Sequence, residues 1–145
     1  MNIYLAGASS EMDMCAEYMQ TLRDLGHTIT EDWVANIKRV GDANPLDATD
    51  MYRKKYARTD LEGVRHAFLF WLLVPEKPSN GCWVELGYAL AMCQEIPHVM
   101  VVASGNYKKS IFTALCDFQF PSHDSALQWI RTMSEDTGSK RFLAG

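Results

Sequence analysis

One acidic residue, Glu85, stands just beyond a polar turn that follows the most apolar segment of the chain. The segment 67–74 (AFLFWLLV) ends at Pro75, and a helical pattern runs over about 82–94. This order predicts a strand, a loop and a helix, with a carboxylate in the first turns of the helix. Open α/β sheets bind ligands at such an edge, where a carboxylate can attack a sugar carbon. The simpler interpretation, which the spacing alone favours, is that Glu85 complements the helix dipole.

A second carboxylate, Asp60, falls in the C-terminal half of a helix predicted over 50–66, directly before the apolar strand. The helix dipole does not stabilise a negative charge there. Asp60 is therefore either an exposed residue that pairs with Arg58 or Arg65, or a second carboxylate of a pocket. Two carboxylates in different environments can divide the work of breaking a glycosidic bond. One acts at the anomeric carbon, and the other handles a proton or anchors the sugar.

Small and polar residues follow the other predicted strands. The first strand ends at Gly7, Ser9 lies in the turn after it, and Trp33 follows the second strand. Because parallel strands bring their carboxyl ends to one edge, these residues should meet the loop before Glu85. The first turn lacks the three spaced glycines of a dinucleotide site, and no Walker lysine pattern occurs. The hydroxyls of Ser9 and Ser79 and nearby N–H groups can still hold an anion, although such hydroxyls are more often simple caps.

Composition and charge narrow the class of protein. The chain has 145 residues, of which 48% are hydrophobic and 22% charged, as expected for one globular domain. A net charge of −4 argues against binding of a nucleic acid polymer, and no apolar run is long enough to span a membrane. The four cysteines lack the close spacing of a zinc site or a redox motif. We therefore expect no metal site and a reducing, cytoplasmic location.

Apolar strands and amphipathic helices alternate along the chain in the order βαβαβαβ, with a possible fifth strand over 118–120. This alternation predicts an α/β fold. It is a single doubly wound domain, flavodoxin-like or Rossmann-like, with a four- to five-stranded parallel sheet flanked by helices. We expect the domain over 1–133 and a loose polar tail over 134–145. The segment 35–49 is predicted to be irregular, either a lid or binding segment or a disordered excursion.

Four stretches of the chain resemble the nucleoside 2-deoxyribosyltransferase family in order and spacing. They are 1–7 (MNIYLAG), 58–61 (RTDL), 79–81 (SNG) and 85–89 (ELGYA). The resemblance covers about two thirds of the chain, up to residue 105. It implies cleavage of the N-glycosidic bond of a deoxynucleoside or of its monophosphate.

The resemblance also implies roles for individual residues. Glu85 would be the nucleophile that forms a deoxyribosyl-enzyme ester. Asp60 would hold the sugar or assist the leaving base, while Tyr4 and Gly7 would line the floor of the pocket. Apart from the resemblance, we expect a tryptophan, Trp33 or Trp83, to stack on the base.

The turn 78–81 (PSNG), before the predicted helix that contains Glu85, resembles the 2′-deoxynucleoside 5′-phosphate N-hydrolase branch of the family. Ser79 stands where the transferases carry an aspartate, and a hydroxyl tolerates a phosphate that a carboxylate would repel. Ser9, Ser79, Asn80 and Gly81 would bind the substrate at its phosphate. Thr113 of a neighbouring subunit would also reach the phosphate, which implies a homodimer.

Two residues depart from that branch. Ala8 stands directly after the first-strand glycine, where a serine is usual, and Glu11 replaces part of a glycine-rich turn. A carboxylate near a phosphate is unfavourable unless it points away. These differences bear on phosphate recognition more than on the glycosidic chemistry.

The expected function is hydrolysis of 2′-deoxynucleoside 5′-monophosphates, releasing free base and deoxyribose 5-phosphate without a cofactor. A small-molecule nucleotide or nucleoside is thus the expected partner. One alternative is a deoxyribosyltransferase that exchanges bases. Another is a non-catalytic nucleotide-binding protein, and a third is a hydrolase of a dinucleotide such as NAD.

Overall fold

Five parallel strands form a sheet at the centre of the protein, in the order β2-β1-β3-β4-β5. The strands are β1 (Asn2–Ala6), β2 (Thr28–Ile29), β3 (Leu69–Leu73), β4 (Met100–Ser104) and β5 (Phe118–Phe120). The flanking helices are α1 (Met12–Asp24), α2 (Trp33–Val40), α3 (Asp50–Arg65), α4 (Gly81–Glu95) and α5 (His123–Leu143). The computed structural model describes the backbone of residues 1–41, 49–96 and 99–143, and the side chains of these as far as 136. The predicted doubly wound α/β fold is confirmed.

The position of β3 explains why residues 67–74 are continuously apolar. β3 is the middle strand of the sheet and pairs with β1 on one side and with β4 on the other. All of its residues are buried, and Trp71 and Phe70 are among the largest fully buried side chains. A central parallel strand has both faces covered, so its residues do not alternate between apolar and polar.

A helix replaces the first part of the loop that we predicted over 35–49. α2 starts where the Asp32 carboxylate accepts a hydrogen bond from the Ala35 N–H, at 2.8 Å. It ends at Gly41, whose φ of 73° suits a glycine at a helix C-terminus. The prediction was wrong because the glycine, asparagine and proline beyond this short helix dominate the pattern of the window. Residues 42–48, the rest of the predicted loop, lie outside the described residues.

One other expectation differs from the structure. The chain beyond residue 133, which we expected to be a loose tail, continues α5 to Leu143. Its polar residues do not prevent this, because glutamate, lysine and arginine are good helix formers. At the other end of the chain, residues Ser9–Glu11 form a 3-10 turn, and no side chain caps the start of α1.

The strands β1 and β3 end side by side, and the chain leaves each of them into a turn that leads to a helix. α3 packs against both α2 and α4, so these three helices surround one part of the sheet edge. None of the helices in the described part of the chain has the length and apolar character needed to cross a membrane.

Replacement of Gly63 by alanine should destabilise the fold, because a β-carbon there would lie 2.6 Å from the Glu31 Cβ and 2.9 Å from the Tyr4 Cδ2. We expect a loss of about 1–3 kcal/mol in the free energy of unfolding, measured by urea denaturation. Gly87 is the matched control, because it is also helical and a β-carbon there meets nothing within 4 Å. Gly87→Ala should be neutral or stabilising by up to about 1 kcal/mol. Equal losses from the two substitutions would contradict this packing.

Candidate functional site

A cavity of about 580 Å³ opens where β1 and β3 end. Its walls are the turn after β1 (7–10), one face of α2, one face of α3, and the turn and first residues of α4 (78–85). Most of the residues predicted for the site line this one cavity: Gly7, Ser9, Trp33, Asp60, Ser79, Asn80, Gly81 and Glu85. The two predicted carboxylates therefore share a cavity although they are distant in sequence.

Two helices contribute the apolar part of the cavity wall. α2 presents residues 33, 36, 37 and 40, and α3 presents residues 53, 56, 57, 60 and 61. Both sets follow the spacing of one helix face. The contribution of α2 was missed because its segment was predicted as a loop, although the apolar residues Trp33, Ile37 and Val40 already show helical spacing.

Glu85 is held by a hydrogen bond from the centre of the sheet. The Tyr4 hydroxyl donates to the Glu85 Oε2 at 2.5 Å. Tyr4 is fully buried in β1, and its ring stacks on Phe70 of β3, with centroids 5.8 Å apart. Burial and the nearby carboxylates, Glu85 first, raise the pKa of Tyr4 well above its usual value, so the phenol stays a donor. Tyr4 is not among the residues that line the cavity; it fixes Glu85 from behind.

Asp60 is a buried carboxyl group with an incomplete set of partners. Its Oδ1 is inaccessible to solvent, and none of the described residues hydrogen-bonds to it. Burial, with a smaller contribution from the charge of Glu31, raises the pKa of Asp60 to about 7. A buried polar atom without a partner is unusual, and raised carboxyl pKa values are frequent at functional sites.

Both carboxyl groups of the cavity have raised pKa values. Burial raises the pKa of Glu85 to about 8; the Tyr4 hydrogen bond lowers it and the charge of Asp60 raises it. The helix dipole alone would lower this pKa, so Glu85 is not simply a dipole complement. Over about pH 7–8 these pKa values leave one proton on the pair, held mainly by Glu85. Burial is the largest cause for both groups, but Tyr4 favours the anion of Glu85 and Glu31 favours the protonated form of Asp60.

Asn36 is a cavity residue that the sequence did not reveal, and its partner is Glu31, which follows the second predicted strand. The Asn36 Nδ2 donates to the Glu31 Oε1 at 2.5 Å, and Asn36 lines the cavity. Glu31 acts on Asp60 through its charge and packs against Gly63, which leaves no room for a larger residue. The signal that was available is Asp32, a residue type that commonly caps helices and that here caps the start of α2, the helix that contains Asn36.

Hydrogen bonds from two other parts of the chain hold the polar turn before α4 in place. The Glu11 Oε1 accepts a hydrogen bond from the Glu76 N–H at 2.8 Å, and the Lys109 Nζ donates to the Pro75 carbonyl at 2.7 Å. Glu11 therefore points away from the cavity, which removes the expected conflict with an anion. Ser79 accepts a weak hydrogen bond from the Cys82 Sγ at 3.7 Å.

Besides Tyr4, two residues predicted for the site lie outside the cavity. Thr113 is 2% exposed, and its hydroxyl hydrogen-bonds to the carbonyls of Tyr107 and Ser110 in its own chain. The expectation that this hydroxyl reaches a neighbour's ligand does not fit this geometry, because Thr113 instead closes a 3-10 turn. Trp83 lines an adjacent groove, whereas Trp33 lines the cavity itself and uses its indole N–H on the Leu5 carbonyl at 2.8 Å. Among the described side chains, no group of three or more acidic, histidine or cysteine residues is arranged to hold a metal ion.

Glu85→Gln should stabilise the protein more at pH 8 than at pH 5. The pKa of Glu85 is raised from 4.5 in the unfolded chain to about 8, so folding favours the protonated form. The contribution of protonated Glu85 to the free energy of unfolding is complete below pH 4.5 and is lost as the pH rises toward 8. Glutamine does not ionise, so the variant does not lose this stability at high pH, and its amide oxygen can still accept the Tyr4 hydrogen bond. Urea denaturation at both pH values measures the effect, with Glu95→Gln, at the exposed end of α4, as control. An equal gain at the two pH values would contradict the assignment.

Comparison of the chain with protein-family models, curated proteins and solved structures finds no match. The functional argument therefore depends on the residues of the cavity. Glu85, Asp60 and Tyr4 carry most of it, since they combine burial, defined geometry and perturbed pKa values.

Proposed function

We propose that this protein hydrolyses the N-glycosidic bond of 2′-deoxynucleoside 5′-monophosphates. The observation that carries the proposal is the pair of partly buried carboxyl groups, Glu85 and Asp60, in one cavity, with the Tyr4 hydroxyl bound to Glu85. A nucleophile and a proton donor are what cleavage of a glycosidic bond requires. The resemblance of the segments 58–61 and 85–89 to the nucleoside 2-deoxyribosyltransferase family supports the same chemistry.

In the first step, the Glu85 carboxylate attacks C1′ of the deoxyribose. The C1′–N bond breaks as the C1′–O bond forms, and the electron pair of the broken bond goes to the base. In the reacting form of the singly protonated pair, Glu85 is ionised and the proton lies on Asp60, which gives it to the leaving base. The transition state has oxocarbenium character, and the product of the step is a deoxyribosyl ester of Glu85.

In the second step, water hydrolyses the ester. Asp60, now ionised, takes a proton from the water. The water oxygen bonds to C1′ as the Glu85 carboxylate leaves. Deoxyribose 5-phosphate is released and the shared proton is restored to the pair. The Tyr4 hydroxyl stabilises the departing carboxylate by the same hydrogen bond that positions it in the free protein.

The rest of the cavity suits the two ends of a nucleotide. Trp33, Ile37 and Leu61 provide an apolar wall for the base. At the other end, the hydroxyls of Ser9 and Ser79 lie with the backbone N–H groups at the start of α4, which favour an anion. The carboxylates of Glu11 and Glu76, which lie nearby in sequence, are not among the residues that line the cavity.

We propose that the protein acts as a cytoplasmic homodimer. An apolar face lies next to the cavity, where Val84 and Phe112 line one groove and Ile111 and Leu115 continue it. These four side chains are 58–82% exposed, which is unusual for large apolar residues on a free surface. The cysteines of the described chain are all free, as in a reducing compartment.

Incubation with a panel of deoxynucleosides and their 5′-monophosphates tests the proposal. Chromatography should detect free base and deoxyribose 5-phosphate, with the monophosphates as the better substrates. Glu85→Gln should lower kcat by a factor on the order of 10³ or more, because no other group replaces a nucleophile. The control Glu95→Gln alters an exposed carboxylate of the same helix and should leave kcat unchanged.

Each rival function gives a different result in the same assay. Exchange of the base, in the presence of a second free base, in place of sugar release would indicate a deoxyribosyltransferase. Nucleotide binding without any product would indicate a binding protein, and release of nicotinamide from NAD would indicate a dinucleotide hydrolase. Wild-type turnover by Glu85→Gln would overturn the mechanism.

Tyr4→Phe should change the pH profile as well as the rate. The singly protonated carboxyl pair is the active form, so kcat/KM should be bell-shaped with limbs near pH 7 and pH 8. Removal of the Tyr4 hydroxyl takes away a donor that lowers the pKa of Glu85, so the alkaline limb should move to higher pH. A limb that stays in place or moves to lower pH would show that Tyr4 does not act on this titration.

A further inference from the structure

The side-chain amide of Asn36 has a defined orientation. Its partner is the Glu31 carboxylate, whose Oε1 lies 2.5 Å from the amide nitrogen. A carboxylate accepts hydrogen bonds, so the nitrogen of the amide faces Glu31 and the carbonyl oxygen Oδ1 is the remaining polar atom. No hydrogen bond from a described residue engages that oxygen.

Glu31 is itself held in place. The backbone of α3 approaches it at Gly63, so closely that a β-carbon on Gly63 would lie 2.6 Å from the Glu31 Cβ. The Asn36 amide therefore cannot turn over without the loss of its short hydrogen bond to Glu31, whose Cβ is packed closely against α3. The orientation of its Oδ1 is a property of the fold rather than of one rotamer.

Asn36 supplies the polar group on an otherwise apolar wall. The cavity face of α2 also carries Trp33, Ile37 and Val40, and the indole N–H of Trp33 is already bound to the Leu5 carbonyl. An amide oxygen surrounded by aromatic and aliphatic side chains makes a directional contact with whatever lies against this wall. The proposed function places the base there.

We infer that Asn36 determines base specificity by accepting a hydrogen bond from an exocyclic amino group, so that amino bases are preferred to their oxo counterparts. This inference rests on the proposed function. An amino group donates to the Asn36 Oδ1, whereas an oxo group at the same position brings two acceptor oxygens together. The negative charge of Glu31, which bonds the Asn36 amide and acts on Asp60, adds to that repulsion.

The test compares nucleotide pairs that differ in the amino or oxo group and in the ring nitrogen beside it, which is an acceptor in the amino member and an N–H donor in the oxo member. The pairs are the monophosphates of deoxyadenosine and deoxyinosine, and those of deoxycytidine and deoxyuridine. We expect kcat/KM to favour the amino member by about tenfold, as for one hydrogen bond gained and one repulsion avoided. Asn36→Leu should bring the ratio within about twofold, mainly by slowing the amino member. Arg39→Gln, an exposed position of the same helix, should keep the wild-type ratio.

A second variant covers the case in which Asn36→Leu does not fold. Glu31→Gln keeps the size of the partner but offers both a donor and an acceptor, so the Asn36 amide can turn over. The amino-to-oxo ratio should fall toward one in this variant. A wild-type ratio near one, or a ratio that neither variant changes, would overturn the inference.

Binding measurements separate this inference from the proposed function. The same four nucleotides are titrated into Glu85→Gln, with the fluorescence of the cavity residue Trp33 or calorimetry as the readout. If no nucleotide is hydrolysed by the wild type but the amino members bind more tightly, hydrolysis fails and the role of Asn36 stands. If hydrolysis occurs without an amino preference in rate or binding, the role of Asn36 fails alone. Absence of both turnover and binding would overturn both.

Discussion

The hydrogen bond from the Tyr4 hydroxyl to the Glu85 carboxylate joins the centre of the sheet to the cavity. Tyr4 belongs to β1, and its ring stacks on Phe70 of β3, so the donor is fixed in the most deeply buried part of the fold. Glu85 belongs to α4, which follows β3 after the turn 74–80. One contact thus fixes the carboxylate relative to two strands and a helix. The order of the strands places the remaining cavity residues around it.

Burial of two carboxyl groups lowers the stability of the folded protein at and above neutral pH, because both have raised pKa values. Asp60 keeps a buried oxygen without a partner, and Glu31 adds negative charge beside it. Such arrangements are common where function needs a preorganised and locally unfavourable site. Gly63 makes the arrangement possible, because only a residue without a side chain lets α3 approach both Glu31 and Tyr4. Stability and site geometry therefore depend on the same few atoms.

The sequence predicted those features that follow from strand order and missed those that depend on how a short helix packs. The apolar run identified the central strand, and the loop after it pointed to Glu85, while Asp60 followed from its place before that strand. Asn36 was missed because α2 was predicted as a loop, although the cap at Asp32 and the apolar spacing were present in the sequence. Thr113 was assigned through a resemblance alone, which does not reveal that its hydroxyl is used within its own chain.

The central claim is that Glu85 becomes covalently bonded to the sugar during turnover. Acid quenching of the protein during reaction with a deoxynucleoside monophosphate, followed by peptide mass spectrometry, tests this most directly. We expect a deoxyribose 5-phosphate adduct on the peptide that contains Glu85, present only while substrate remains. An adduct on another residue, or active turnover without any adduct on that peptide under conditions that preserve glycosyl esters, would contradict the account.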